Sequence, residues 1–458
     1  MKKIYCNPLP IPSIPIGRGA LNKNYEGTWW REFGDPSVIK HNNRWYLFPS
    51  CGMIWWSDNM VDWVHQEINI SDVGWAPSVT IKDGIFYLTA SWEGSCIWRA
   101  DDPLGHWENI GEICDHTGAN LRWGDPDLFT DDDGSMYAYY SIGANKGVYG
   151  VKLVDKDPTK FSTPATHLIA YNPQHTWERF GECNQDPSIS HLEGASMTKH
   201  NGRYYLQYSA AGAEWRNYAV GCYVSEHPLG PFTYQNHNPI LIHRGGMING
   251  CGHNCIVEGP DDTLWCFYTI LMRRFHALER RIGMDPVLFD EMGEMVIDGP
   301  SESPRFLDGS YPKDILPVTI CQGAKASSFT PGHEPECGVD NYIRTWWEAE
   351  GNRHPQWLEV DLDGEYDVSS ARILFSEQCT KDPKAEAIWR FKIEVSSQSS
   401  GSNWEMICNL LDTNFDGHIR FVEFQEKEAR RLRITIMENP CGSTPGIMDF
   451  CVFGKIKQ

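Results

Sequence analysis

Apolar and polar positions recur in one phrase along about the first 300 residues. A small or acidic residue, often followed by proline, opens an apolar strand; a polar turn follows, and then a strand rich in aromatic residues. The first copy is Asp35-Pro36-Ser37-Val38-Ile39, turn Asn42-Asn43, then Trp45-Tyr46-Leu47-Phe48. The second opens at Ala76-Pro77-Ser78-Val79-Thr80 with turn Asp83-Gly84, and the third at Asp125-Pro126-Asp127-Leu128-Phe129 with turn Asp132-Asp133-Gly134. The fourth opens at Glu193-Gly194-Ala195-Ser196-Met197 with turn Asn201-Gly202, and the fifth at His253-Asn254-Cys255-Ile256-Val257 with turn Asp261-Asp262. Asn-Gly and Asp-Gly between β-rich runs mark hairpins, because these residues tolerate the positive φ of a tight turn. The openings are 41 to 68 residues apart, the spacing of four-stranded propeller blades with variable loops. The pattern therefore predicts an all-β chain that begins with a five-bladed β-propeller over residues 1–310.

A propeller gathers the first strand of every blade at one axis. Asp35, Ala76, Asp125, Glu193 and His253 would then meet at one end of it. Three carboxylates in one cleft raise the cost of folding, which points to function. The Asp-Pro dipeptide alone carries little, since it also occurs at Asp102, Asp157, Asp186 and Asp285. What distinguishes Asp35 and Asp125 is their register before an apolar strand and, ten to twelve residues on, an aromatic one.

Composition narrows the chemistry. The net charge of −21 argues against nucleic acid as partner. The 19 Trp, 19 Tyr and 19 Phe suit stacking on sugars, but equally an all-β core. The 15 cysteines form no CxxC pair, and Cys6, Cys51, Cys96 and Cys222 read as buried reduced thiols. Pro8, Pro10, Pro12 and Pro15 break the N-terminal stretch before an apolar leader can form, and no apolar run has membrane-spanning length. A cytoplasmic protein is expected, without a membrane partner.

Glycoside hydrolysis needs one carboxylic acid to protonate the leaving oxygen and one carboxylate on the opposite face of the sugar; a third near the acid keeps it protonated. The openings Gly34-Asp35-Pro36, Trp75-Ala76-Pro77, Gly124-Asp125-Pro126, Leu192-Glu193-Gly194 and Gly252-His253-Asn254 resemble, in order, those of glycoside hydrolase family 43 over about residues 25–305. The resemblance implies an inverting glycosidase, acting on arabinose- or xylose-containing glycans. It implies Asp35 as general base, Glu193 as general acid and Asp125 as the carboxylate that tunes and orients the acid. It further implies His253 as an axial residue that helps hold a central calcium or water cluster; no cofactor is required for the reaction, so calcium would be structural. Arg281, in preference to Arg280, is implied as the arginine that reaches the substrate. Trp30, Phe33, Trp75, Trp92 and Trp123 flank the openings and are candidate sugar-facing walls. The chain departs from the common pattern in reading Glu-Gly-Ala at Glu193.

Beyond about Ile320 the pattern changes. Pro355–Leu362, Phe391–Ser396 and Ala429–Thr435 alternate at period two, as half-buried antiparallel strands do. With the closing Asp449–Gly454 they resemble the discoidin, or coagulation-factor C-type, fold over residues 320–458. A jelly-roll-like β-sandwich is expected there, either binding carbohydrate or serving as a structural module.

The first reading is an exo-acting α-L-arabinofuranosidase or β-D-xylosidase on plant-derived oligosaccharides. An exo-β-galactosidase or a retaining fructosidase on the same propeller is the second. Glu182-Cys183 invites the fructosidase, but the Asn expected before Asp35-Pro36 is absent. The third is a sugar-binding protein without turnover, which would lack an acid or base.

Overall fold

The computed structural model describes residues 3–12, 21–23, 29–50, 54–70, 73–243, 245–272, 279–376, 386–440 and 443–457, with the backbone alone for 21–23, 29–31 and residue 93. Five antiparallel sheets form a five-bladed propeller. The first blade is built from Ser37–His41, Arg44–Phe48, Ile54–Ser57 and Val64–Gln66, in that order from axis to rim. The second runs Ser78–Lys82, Ile85–Thr89, Cys96–Ala100, Glu108–Glu112. The third opens with Gly124–Thr130, the fourth with Glu193–His200 and the fifth with Asn254–Glu258. Each blade draws on one continuous stretch of chain, so the circle is closed by contacts between blades, not by an exchanged strand.

Those contacts answer a backbone question. Neighbouring first strands face each other across the axis without forming a common ladder, so their amides need other acceptors. Side chains supply them in two tiers. In the upper tier a hydroxyl at the end of one blade's second strand takes an amide from the next blade. Ser50 Oγ accepts from Ala76 N–H at 2.7 Å, Ser91 Oγ from Asp125 N–H at 2.8 Å and Ser209 Oγ from His253 N–H at 2.7 Å. Thr269 Oγ1 accepts from Asp35 N–H at 2.9 Å and so joins the fifth blade to the first. In the lower tier Ser37, Ser78, Asp127 and Cys255 accept from the amides of Val79, Leu128, Met197 and Val38.

Between the blades lie the aromatic strands. Trp45, Trp55, Trp63, Trp265 and Phe267 fill the seam of the first and fifth blades. Trp107 and Phe86 fill the seam of the first and second. Many of the described aromatic residues are thus core. The described cysteines are free, with Cys6, Cys96 and Cys222 buried; Cys51 lies outside the described residues. Among the described residues no helix is long and apolar enough to cross a membrane.

The C-terminal unit is a β-sandwich. Two 20-residue strands, Gln356–Phe375 and Ile419–Glu438, pair along their length and bend between its layers at register shifts near Asp361 and Val368. Leu358, Val360 and Leu362 point inward with Phe391, Ile393, Leu432 and Ile434, while the alternate residues face out, as period two dictates. The sandwich is packed on the propeller. Ile343, Leu374, Ile419 and Met448 share one core with Met247, Ile248, Val287 and Ile297.

Candidate active site

The first strands open on residues with left-handed backbone: Asp35 at φ 49°, Ala76 at 49°, Asp125 at 45° and His253 at 43°. In the fourth blade that conformation belongs to Gly194, at φ 58°, and Glu193 precedes it. The ladders agree, since Glu193 pairs with Ser209 where Gly124 pairs with Ser141. The five openings are therefore not equivalent as the repeat suggests: Glu193 stands one position before Asp35, Ala76, Asp125 and His253. Glycine takes the strained position at no steric cost, and the glutamate is displaced by one residue from the others. The upper tier breaks at the same place. Ser141 Oγ turns to the Gly124 carbonyl, and Gly194 N–H donates to Asp125 Oδ2 at 3.2 Å.

Asp35 is buried and gripped. Arg280 Nη1 and Nη2 donate to its two oxygens at 2.6 Å each, and Ser50 Oγ donates to Oδ2 at 2.6 Å. His253 Nδ1 lies 3.3 Å from Oδ1. Burial alone would raise its pKa, but the Arg280 guanidinium, His253 and the Ser50 hydroxyl hold it below the ordinary carboxylate value. Glu193 has the opposite surroundings. Burial, then the charge of Asp125, push it up to about 8, against the single hydrogen bond that Tyr218 donates to Oε1 at 3.0 Å. Asp125 receives Ser91 Oγ at 3.2 Å and faces His253 Nδ1 at 3.6 Å. Asp35, Asp125, Glu193 and His253 thus converge from four blades.

His253 Nδ1 stands between Asp35 Oδ1 at 3.3 Å and Asp125 Oδ2 at 3.6 Å, and the two carboxylates raise its pKa against the opposing effect of burial. Calcium takes oxygen ligands, so among these groups the carboxylate oxygens, more than the imidazole nitrogen, fit it as direct donors.

The sugar-wall residues divide. Phe33 is buried edge-on against Trp55 with centroids 4.7 Å apart, and Trp123 is buried against Tyr140 and Phe161 with its Nε1 on the Ala90 carbonyl. Both are core, because the segments that lead into the first strands of the blades also pack their aromatic side chains into the seams. Trp75 is half-buried with the Arg280 guanidinium 5.7 Å from its ring. Trp92 is 42% exposed at φ 52°, and borders a cleft of about 480 Å³ with Asn109, Glu112, Asn120 and Arg122. The side chain of Trp30 lies outside the described residues.

The arginine preference is reversed by strand alternation. Arg280 points to the carboxylates, whereas Arg281, on the opposite face, approaches His418 of the sandwich at 3.3 Å. Glu182 pairs with Arg216 at 3.3 Å and Arg344 at 2.5 Å, so it is bound to the sandwich and not to the axial carboxylates.

The sequence pattern does not reveal Arg280, Tyr218, Glu32 or the hydroxyl tier as site residues. The hydroxyls carried a signal, because each aromatic strand ends on one: Ser50, Ser91, Ser141, Ser209 and Thr269. Gly34 carried another. A Cβ there would meet Arg280 Nε at 2.7 Å. Gly34→Ala is expected to push the guanidinium off Asp35, at about 1–3 kcal/mol of strain. A melting curve identical to that of the parent protein would contradict this.

Residues 35–295 match the family model Glycosyl hydrolases family 43, and residues 323–448 match the F5/8 type C domain. The chain is 29% identical over 240 residues to an arabinoxylan arabinofuranohydrolase of Bacillus subtilis, covering 45% of each protein. It is 27% identical over 246 residues to a beta-xylosidase of Xylanibacter ruminicola, covering 45% of this chain and 70% of that one. The chain thus spans less than half the length of the arabinofuranohydrolase. A thermostable family-43 glycoside hydrolase of known structure is 26% identical, with a TM-score of 0.50 over 66% of this chain and 98% of that chain. The family model takes in every blade opening from Asp35 to His253, more than half of the sequence, and on that extent the chain belongs to family 43 of the glycosyl hydrolases.

Proposed function

We propose that the chain is an exo-acting glycosidase that releases a terminal pentose, α-L-arabinofuranose or β-D-xylose, from oligosaccharides with inversion of configuration. The observation that carries this is the split between two carboxyls of one cleft, Asp35 held down and Glu193 raised to about 8. Environments that push two carboxyls apart assign the base and the acid. Glu193 gives its proton to the glycosidic oxygen as the bond to the anomeric carbon breaks. Asp35 takes a proton from the water that attacks that carbon from the opposite face. The carboxylate charge of Asp125 beside Glu193 favours the protonated form of the acid. The pentose is supported by what relatives are named for, arabinofuranose and xylose.

An attacking water would meet Asp35 at its least tightly held acceptor position. A carboxylate offers about four acceptor positions. On Asp35 three are filled at 2.6 Å, and the fourth faces His253 Nδ1 at 3.3 Å, the loosest of the four.

Para-nitrophenyl pentosides and hexosides, assayed as a panel, test the substrate. Hydrolysis of hexosides alone would refute the pentose. Proton NMR of the first product is expected to show the anomer opposite to that of the substrate, and retention would contradict the role of Asp35 as base.

A further inference from the structure

Four carboxyl groups, not three, stand at this site. Glu32 lies three residues before Asp35 and is 1% exposed. Its Oε1 accepts Arg280 Nε–H at 2.6 Å, while both Nη atoms of the same guanidinium hold Asp35. The planar fork of an arginine is fixed when Nε and the Nη pair are both engaged, because no rotation about the terminal bonds then preserves every contact. Gly34, between the two acids, leaves the room through which the guanidinium passes.

We propose that Glu32 is the positioning residue of the water-activating half of the site: its hydrogen bond to Arg280 Nε aims the two-pronged edge of the guanidinium at Asp35. It acts through the hydrogen bond and not through a charge of its own. The proposal rests on the reading of Asp35 as general base.

Charge balance supports the second clause. Among the described residues the cation in contact with Asp35 is Arg280, with His253 a second when protonated, against the carboxyls of Glu32, Asp35, Asp125 and Glu193. Buried charges without counter-charges are costly, so two of the four carboxyls are best kept neutral. Glu193 is one. Glu32 is the other: burial, then the nearby Asp35, raise it to about 8, although Arg280 and Arg281 pull it down. Its second oxygen, Oε2, is buried and has no hydrogen-bond partner among the described residues, so no donor there stabilises an ionised oxygen. A neutral carboxyl still accepts Arg280 Nε–H through its carbonyl oxygen.

Two substitutions separate hydrogen bond from charge. Glu32→Gln keeps an acceptor for Nε and is expected to leave kcat within about threefold of the parent, with the acid limb of kcat/KM in place. Glu32→Leu fills the space without an acceptor. It is expected to lower kcat at least about tenfold with KM within about twofold, and to move the acid limb of kcat/KM to higher pH as Asp35 loses part of its cation. Equal losses in both variants would make charge the agent and overturn the proposal. So would an unaltered acid limb in Glu32→Leu. Crystal structures of the two variants test the same contact even if the protein cleaves no pentoside. The two-pronged contact with Asp35 is expected to survive in Glu32→Gln and to be lost in Glu32→Leu, and its survival in both would refute the positioning role. If Glu32→Leu does not fold, the Gln variant still decides: an acid limb shifted from that of the parent, or a guanidinium displaced from Asp35, overturns the proposal.

Discussion

Glu193→Gln is expected to lower kcat on an oligosaccharide by about 10²- to 10⁴-fold, the usual worth of a general acid. Gln matches the shape of the side chain and can still accept the Tyr218 hydroxyl, so the fold of the cleft is kept while the transferable proton is lost. Substrate chemistry supplies an internal control. A para-nitrophenyl leaving group departs with little protonation, so the loss on the aryl glycoside is expected to be much the smaller. The pH profile follows from the directions of the shifts. The acid works only while protonated, so activity falls as pH rises through about 8, and the Gln variant loses that limb. The base works only while ionised, so activity falls on the acid side, below the ordinary carboxylate range in which Asp35 would otherwise titrate. Stability moves with the same group. Between the ordinary carboxylate value and about 8 the folded state holds a proton on Glu193 that the unfolded chain does not, so folding weakens as pH rises across that window. Glu193→Gln removes this penalty and is expected to melt above the parent at about pH 8. Equal losses on aryl glycoside and oligosaccharide would remove Glu193 from the acid role.

Much of this site is legible in the sequence because a propeller turns register into position. Asp35, Asp125 and His253 can be placed at one axis from the turns and strands that follow them, without knowledge of any contact. Glu193 is found by the same register but with the wrong equivalence, since it takes the backbone torsions and the ladder register to show that Gly194 occupies the place of Asp35. Arg280 and Arg281 cannot be told apart from sequence. Adjacent strand residues point to opposite faces, and nothing in the run Arg280-Arg281-Ile282 fixes which face meets the axis. Phe33 and Trp123 mislead for a related reason: an aromatic beside a motif fills the seam between blades as readily as the cleft, and here it does so. The sandwich strands are readable from period two alone. That its core runs on into the propeller is not, because one cluster that holds both Leu374 and Val287 joins segments whose separation carries no pattern.

That joint core leads to the largest expected effect on stability. Arg372 and Asp449 form a buried pair at 2.8 Å in the sandwich, and Arg372 Nη1 also donates to the carbonyls of Asn7 at 3.1 Å and Glu302 at 2.7 Å. One guanidinium thus ties the sandwich to both ends of the propeller segment. Arg372→Ala leaves Asp449 buried without its cation and leaves the two carbonyls only the weak thiol donor of Cys6, a loss of about 3–5 kcal/mol. Because Leu374, Ile419 and Met448 pack into the propeller core, the two units are expected to melt in one transition, and the variant to lower that transition as a whole. The double replacement Arg372→Met with Asp449→Leu removes both charges and is expected to recover most of the loss. Calorimetry distinguishes the alternatives. Two separate transitions, with only one shifted by Arg372→Ala, would mean that the sandwich folds independently of the propeller, as a tethered carbohydrate-binding module would. A single shifted transition makes it a structural half of the protein, one that also holds Arg281 through His418 and, through Arg344, grips Glu182 in the loop before Glu193.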